Sequence, residues 1–231
     1  MKLIVFLFFL SFSTDLAHAV ISIPSDESLL AELGAKFSKK SSESYECSVK
    51  RIGNLTISLE IAASSEGDFS TAQKIYQDFS QYRNWVLRDI NKRPDGGAYY
   101  LQLKDLTQSL EKPEVLIGNF VFDLPMFKRE MVRQFQMKSE TNKNSLLITA
   151  QSLTSPESMI GSGEGFLKVF PSPVKKHSLW YYLKGTIQLR NWLLYEALPD
   201  KILARESKER VQQLLDNYLF EEDRRKNNPG Q

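Results

Sequence analysis

The sequence predicts an α+β fold in which a curved antiparallel sheet wraps around one long C-terminal helix. Two observations lead there. Between Pro199 and Phe220, Ala204, Ser207, Val211, Leu214, Leu215 and Tyr218 recur at helical spacing, while Lys201, Arg205, Lys208, Glu209, Arg210 and Asp216 take the other side. Such a stripe has to lie on an apolar surface. Ahead of it, residues 45–189 read mainly as strands parted by turn residues, so the surface on offer is a sheet. The small side chains of Ala204 and Ser207 leave room between helix and sheet, and a ligand would fit there.

The chain begins with Lys2, an apolar run from Leu3 to Phe12, and Ala17-His18-Ala19. This is the pattern of a secretory signal peptide cleaved after Ala19, and the run is shorter than the roughly 20 residues that span a bilayer. The expected mature protein starts at Val20 and is exported, to a periplasm or the outside. No cysteine follows the cleavage site, so no lipoprotein anchor is expected. Residues 20–44 give a short helix, with Ser25 as N-cap before Leu29, Leu30, Leu33 and Phe37, then a polar linker.

Strands at 45–52 and 55–61 flank Gly53-Asn54, a two-residue hairpin signal, and Leu55, Ile57, Leu59 and Ile61 alternate with polar residues. A helical stretch from Asp68 to Leu87 carries Ala72, Ile75, Tyr76, Phe79, Tyr82 and Trp85. Strands follow at 98–106, 114–123, 127–138, 145–153, 164–170 and 176–189, parted by Lys112-Pro113, Asn142–Asn144, Ser155-Pro156 and Pro171-Ser-Pro173. The polar tail 221–231 is expected to fray.

The chain has 231 residues, one cysteine and a net charge of +2. Processing leaves that charge unchanged, because the leader holds one Lys and one Asp. Near-neutrality without a basic stripe argues against a nucleic-acid partner. One cysteine permits no internal disulfide, and Cys47 reads as a small core residue. His18 leaves with the signal, so His177 stands alone as a hydrogen-bonded strand residue. It offers neither a zinc pair nor, with Cys47, a thiol dyad. Gly161-Ser-Gly163 leads into a strand and reads as a turn. Asp105, Asp123, Glu130 and Glu164 show no spacing that pairs them. No catalytic residue, metal site or cofactor is expected.

Binding residues are easier to name. On strand 127–138 the odd positions Phe127, Arg129, Met131, Arg133, Phe135 and Met137 face the helix, and the even positions face water. Met and Phe form either plain core or an adaptable lining for an apolar ligand. Arg133 sits within that apolar row and needs a partner, either an internal carboxylate or the headgroup of an anionic ligand. Strand 176–189 is bulky on both faces; Trp180 and Tyr182 pack under the N-terminal helix or form a membrane-docking patch.

Three stretches carry a family resemblance. They are Leu59–Trp85, with Phe69 before Ile75-Tyr76 and then Tyr82 and Trp85; the turn Leu124-Pro-Met-Phe-Lys-Arg-Glu-Met-Val132; and Gly163-x-Gly165 through Phe170-Pro171, Trp180–Leu183 and the helix after Asn191-Trp192-Leu193. Over residues 45–220 they resemble the START-like, helix-grip superfamily, also called SRPBCC or polyketide-cyclase-like. Glu130 stands where START domains carry Asp, and Gly185–Arg190 replaces the Gly-x-Ile/Leu-Pro that precedes their final helix. The resemblance implies a lipid or other apolar molecule held between sheet and helix; a monomer with transient membrane contact is expected. The ligand-binding residues would be Arg133, Met131, Phe135, Met137, Tyr99, Tyr181, Ala204 and Ser207. The rival expectations are a cyclase- or hydratase-like enzyme acting in the same cavity, marked by a buried carboxylate beside Tyr99 or Tyr181, and an interaction module with a filled interior.

Overall fold

The computed structural model describes residues 21–38, 44–53, 55–97, 99–124, 127–153, 160–190, 192–197 and 199–227. The signal segment with its cleavage site, Asn54, most of the 38–44 linker, Ser155-Pro156 and the end of the tail lie outside the described residues. The side chains of Phe127 and of Gly161-Ser162 lie outside them too.

Helix α1 (Asp26–Phe37) starts where Ser25 accepts a hydrogen bond from the Ser28 N–H, and buries Leu29, Leu33 and Phe37. Strands β1 (Ser44–Arg51) and β2 (Thr56–Glu66) form the hairpin, with Gly53 at φ +85, a conformation glycine adopts without a steric penalty. The predicted single helix after β2 is broken in three. Asp68 caps α2 (Phe69–Gln77), Asp78 leaves helical geometry, a 3₁₀ turn covers Phe79–Gln81, and α3 spans Tyr82–Val86. The break lets Tyr76, Tyr82 and Trp85 converge edge to face instead of lining one straight stripe.

Strands β3 (Leu101–Gln108), β4 (Val115–Leu124), β5 (Phe127–Thr141), β6 (Leu146–Leu153), β7 (Ile160–Pro171) and β8 (Ser178–Leu189) follow, then α4 (Trp192–Ala197) and α5 (Asp200–Asn227). All eight strands form one antiparallel sheet in the order β1-β2-β8-β7-β6-β5-β4-β3. The sheet curves around α5, giving the helix-grip fold that the sequence predicts. Helices α2 and α3 carry the chain from β2 at one side of the sheet to β3 at the other edge, and both lie against α5.

The convex side is covered by α1. Phe37 meets Trp180 at 6.2 Å, and Trp180 and Tyr182 are buried, so they are not an exposed docking patch. The N-terminal residues continue along this side, where Lys168 Nζ donates to Asp26 Oδ1 at 2.5 Å and to the Pro24 carbonyl at 2.9 Å. Among the described residues, no helix is long and apolar enough to cross a membrane.

Three expectations are corrected. The helix runs on through Glu221 and Glu222, both 2% exposed, to Asn227 rather than fraying. Arg224 and Arg225 bind Glu221, and Glu222 accepts the Asp68 N–H, so the polar tail is tied down by charge. Arg210 does not face water; it is 0% exposed. His177 lies in the turn before β8 at φ +54, and its carbonyl accepts the Gly67 N–H at 2.9 Å.

Candidate functional site

Register fixes which side chains enter the concave face. In β5, Arg133 is 4% exposed, Phe135 0% and Met137 2%, with Met131 half-buried, while Val132, Gln134 and Lys138 point outward. Arg129 departs from the expected parity. It is exposed, because it lies near the end of the sheet where the strand passes beyond its cover. Opposite Arg133 in β4 is Gly118, and the missing side chain there admits the ring of Phe120, which stands edge-on to Phe135 at 6.0 Å.

Two ends of this face differ. At one end the packing is dense and aromatic. Tyr76 stacks on Tyr218 at 5.4 Å and meets Tyr181 at 6.3 Å, and Ser65 Oγ donates to the Tyr181 hydroxyl at 3.1 Å. Burial pushes the Tyr76, Tyr181 and Tyr218 hydroxyls up, so these phenols stay protonated. Beside them Ile61, Ala63, Leu167, Tyr181, Leu183, Val211 and Leu215 enclose a gap of about 10 Å³, the size of one water at most.

At the other end the floor has little or no side chain. Ala150, Ser152, Gly163, Gly165 and Gly185 are all buried and belong to three neighbouring strands. Gly165 lies opposite both Ala150 and Gly185. Ser152 faces Phe135, one step along β5 from Arg133 on the same side. Among the described residues no ion pair holds Arg133, and its buried Nε has no acceptor. Burial, then Arg190 and Arg129, pushes its guanidinium down to about 10, so it remains charged at neutral pH.

The other predicted residues fall elsewhere. Tyr99 is 1% exposed at the β3 edge, with Arg210 3.9 Å over its ring and Arg93 at 5.6 Å. Burial raises its hydroxyl to about 12. Glu209 and the 2%-exposed Glu206 stand in the same cluster, so there is a buried carboxylate beside Tyr99. Burial raises Glu206, with Arg210 opposing, and Arg210 also donates to the Leu101 carbonyl. Each acid faces guanidinium groups, the arrangement of a structural ion cluster rather than of a general base held in a cleft.

Ala204 and Ser207 do not line a ligand-sized space among the described residues. The Ser207 hydroxyl donates to the Leu203 carbonyl at 2.5 Å, and Ser207 stands beside Cys47 of β1. Small residues there let the α5 backbone lie close on β1. Burial pushes the Cys47 thiol up to about 11. Sequence reasoning also missed Arg210, whose neighbours Glu209 and Lys208 place it on a charged face by pattern, and the floor glycines, which as a set have no helical or strand period to betray them.

The sheet order, the crossing helices and the C-terminal helix lying against the sheet make an α+β arrangement of the helix-grip kind. Among solved structures, the chain is similar to the human StarD13 lipid transfer and protein localization domain, at 13% identity over 89% of this chain and 98% of that one, with a TM-score of 0.44. It is similar to the ZhuI aromatase/cyclase of a Streptomyces species, at 14% identity over 76% and 98%, TM-score 0.45. A STAR-related lipid transfer protein from Xanthomonas axonopodis gives 8% identity over 77% and 99%, TM-score 0.41. No family model and no curated protein matches the sequence.

Proposed function

We propose that this protein is an exported START-like carrier that holds an apolar small molecule, in the first instance a lipid, on the concave face beside the N-terminal half of α5. The observation that carries the reading is the buried floor of Ala150, Ser152, Gly163, Gly165 and Gly185. A sheet face that must pack on its own helix fills its rows with large side chains, as Ile61, Leu167 and Leu183 do at the other end. Five small residues gathered at one level instead suit a guest. Met131, Phe135 and Met137 beside them adapt to an irregular chain. Burying a dozen methylenes there supplies on the order of 10 kcal/mol before ordering costs. Export rests on the Leu3–Phe12 run and the Ala17-His18-Ala19 motif.

A second reading, an interaction module with a filled interior, is favoured by the gap of about 10 Å³ under the middle of α5. Native mass spectrometry of the exported protein, followed by solvent extraction, separates the two. A carrier shows an excess mass of a few hundred daltons that extracts as a lipid and takes up added oleyl alcohol. A bare polypeptide mass with no uptake rejects the carrier.

A further inference from the structure

The small-residue floor ends on a cation that the described residues leave unmatched. Arg133 is 4% exposed, projects from the concave face between Met131 and Phe135, and among the described residues its buried Nε finds no acceptor and its guanidinium no ion pair. Among the described residues the buried acids stand beside other cations. Glu206 stands with Arg210, Glu221 binds Arg224 and Arg225, and Glu222 binds Lys226. Half-buried Glu209 faces Arg93 and Arg205, and Asp200 holds Arg51. The charged groups that act on Arg133 are Arg190 and Arg129, both of its own sign. A charge withdrawn from water is normally paired, and here the surroundings add repulsion instead of a partner.

We infer that the ligand is an anionic amphiphile whose carboxylate or phosphate headgroup docks on the Arg133 guanidinium, with its chain lying over the floor of Ala150, Ser152 and the glycines. The planar fork of arginine meets two oxygens of such a headgroup at once, which a lysine does not do. Arg129 and Arg190 add attraction for the anion without needing to touch it. This inference rests on the reading of the concave face as ligand space, and the test keeps the two apart.

Four probes are titrated into the parent protein by calorimetry below their micelle concentrations: oleate, oleoyl lysophosphatidate, oleyl alcohol and inorganic phosphate. The parent binds oleate or the lysophosphatidate at least tenfold more tightly than oleyl alcohol, and whichever is tighter assigns the headgroup. Phosphate alone binds far more weakly than either. Arg133→Leu loses at least tenfold in affinity for the anionic probes and keeps its affinity for oleyl alcohol within threefold. Its melting temperature without ligand is no lower than the parent's, because the change removes an unpaired buried charge. Should that variant fail to fold, Arg133→Lys carries the test, since it keeps the charge, loses the fork and still weakens the anionic probes selectively. Equal losses for anionic and neutral probes, or none for either, overturn the headgroup site and leave the carrier standing. Phosphate binding as tight as oleate's makes it a free-anion site and overturns the amphiphile. A parent that binds none of the chain-bearing probes overturns the carrier itself, and the headgroup site with it.

Discussion

The two ends of the concave face are built from the same strands and closed by the same helix, yet they solve opposite problems. At the tyrosine end every row is filled: Tyr76, Tyr181 and Tyr218 are in ring contact, and Gly67 is packed so closely that an added Cβ would meet the Tyr218 hydroxyl at 2.8 Å. At the Arg133 end the floor is stripped to alanine, serine and glycine, and among the described residues the buried Nε of Arg133 has no acceptor. Dense packing accounts for stability. The small floor and the buried cation beside it are the features on which the proposed ligand site rests.

Substitutions at the tyrosine end should cost the most. Tyr218→Ala removes a fully buried ring stacked on Tyr76, and a loss of about 3–5 kcal/mol in denaturant unfolding is expected. A loss below about 1 kcal/mol would show that this end is not the stable anchor of the fold. Gly67→Ala should cost about 2–3 kcal/mol, because the new methyl group meets Tyr218 and Leu179 inside 3 Å at φ +146. An unchanged melt would mean that the packing there yields.

At the other end, Gly185→Val places a β-branched residue inside the β8 ladder, which strands accept readily. Its expected stability change is under about 1 kcal/mol, with loss of lipid uptake. A large destabilisation with uptake intact would make the floor ordinary core. The smallest effect concerns Cys47, beside Ser207 where α5 meets β1. Burial raises its thiol to about 11, so the folded state keeps the proton longer than the unfolded chain does. Its contribution to stability is therefore present below the unfolded value of about 8.5 and lost as pH rises toward 11. Alkylation by iodoacetamide at pH 8 should run at least tenfold slower than in the denatured protein, and slower still with lipid bound. Rates equal to those of the denatured chain would show that α5 does not cover β1.

Much of the fold was legible before any coordinates. Ser25 announced a helix start because a side-chain oxygen before an apolar-periodic run has one evident use, to accept an orphan N–H. Parity along β5 correctly sent Arg133, Phe135 and Met137 inward, because a strand's period of two holds wherever one face is covered. The same rule failed at Arg129, since parity says which side a residue takes and not where the cover ends.

The sequence by itself determined the order of strands and helices, the face each presents, and the improbable burial of Arg133. All of these are local properties, set by periods of two and 3.6 residues and by cap and turn chemistry. Only the tertiary structure decided that Arg210 is interior, that Ser207 stands beside Cys47 where α5 meets β1, and that glycines from β7 and β8 gather with Ala150 and Ser152 on one floor. The physical reason is range. Which residues share a floor depends on the register between strands far apart in the chain, and whether a buried charge finds a partner depends on every element packed against it.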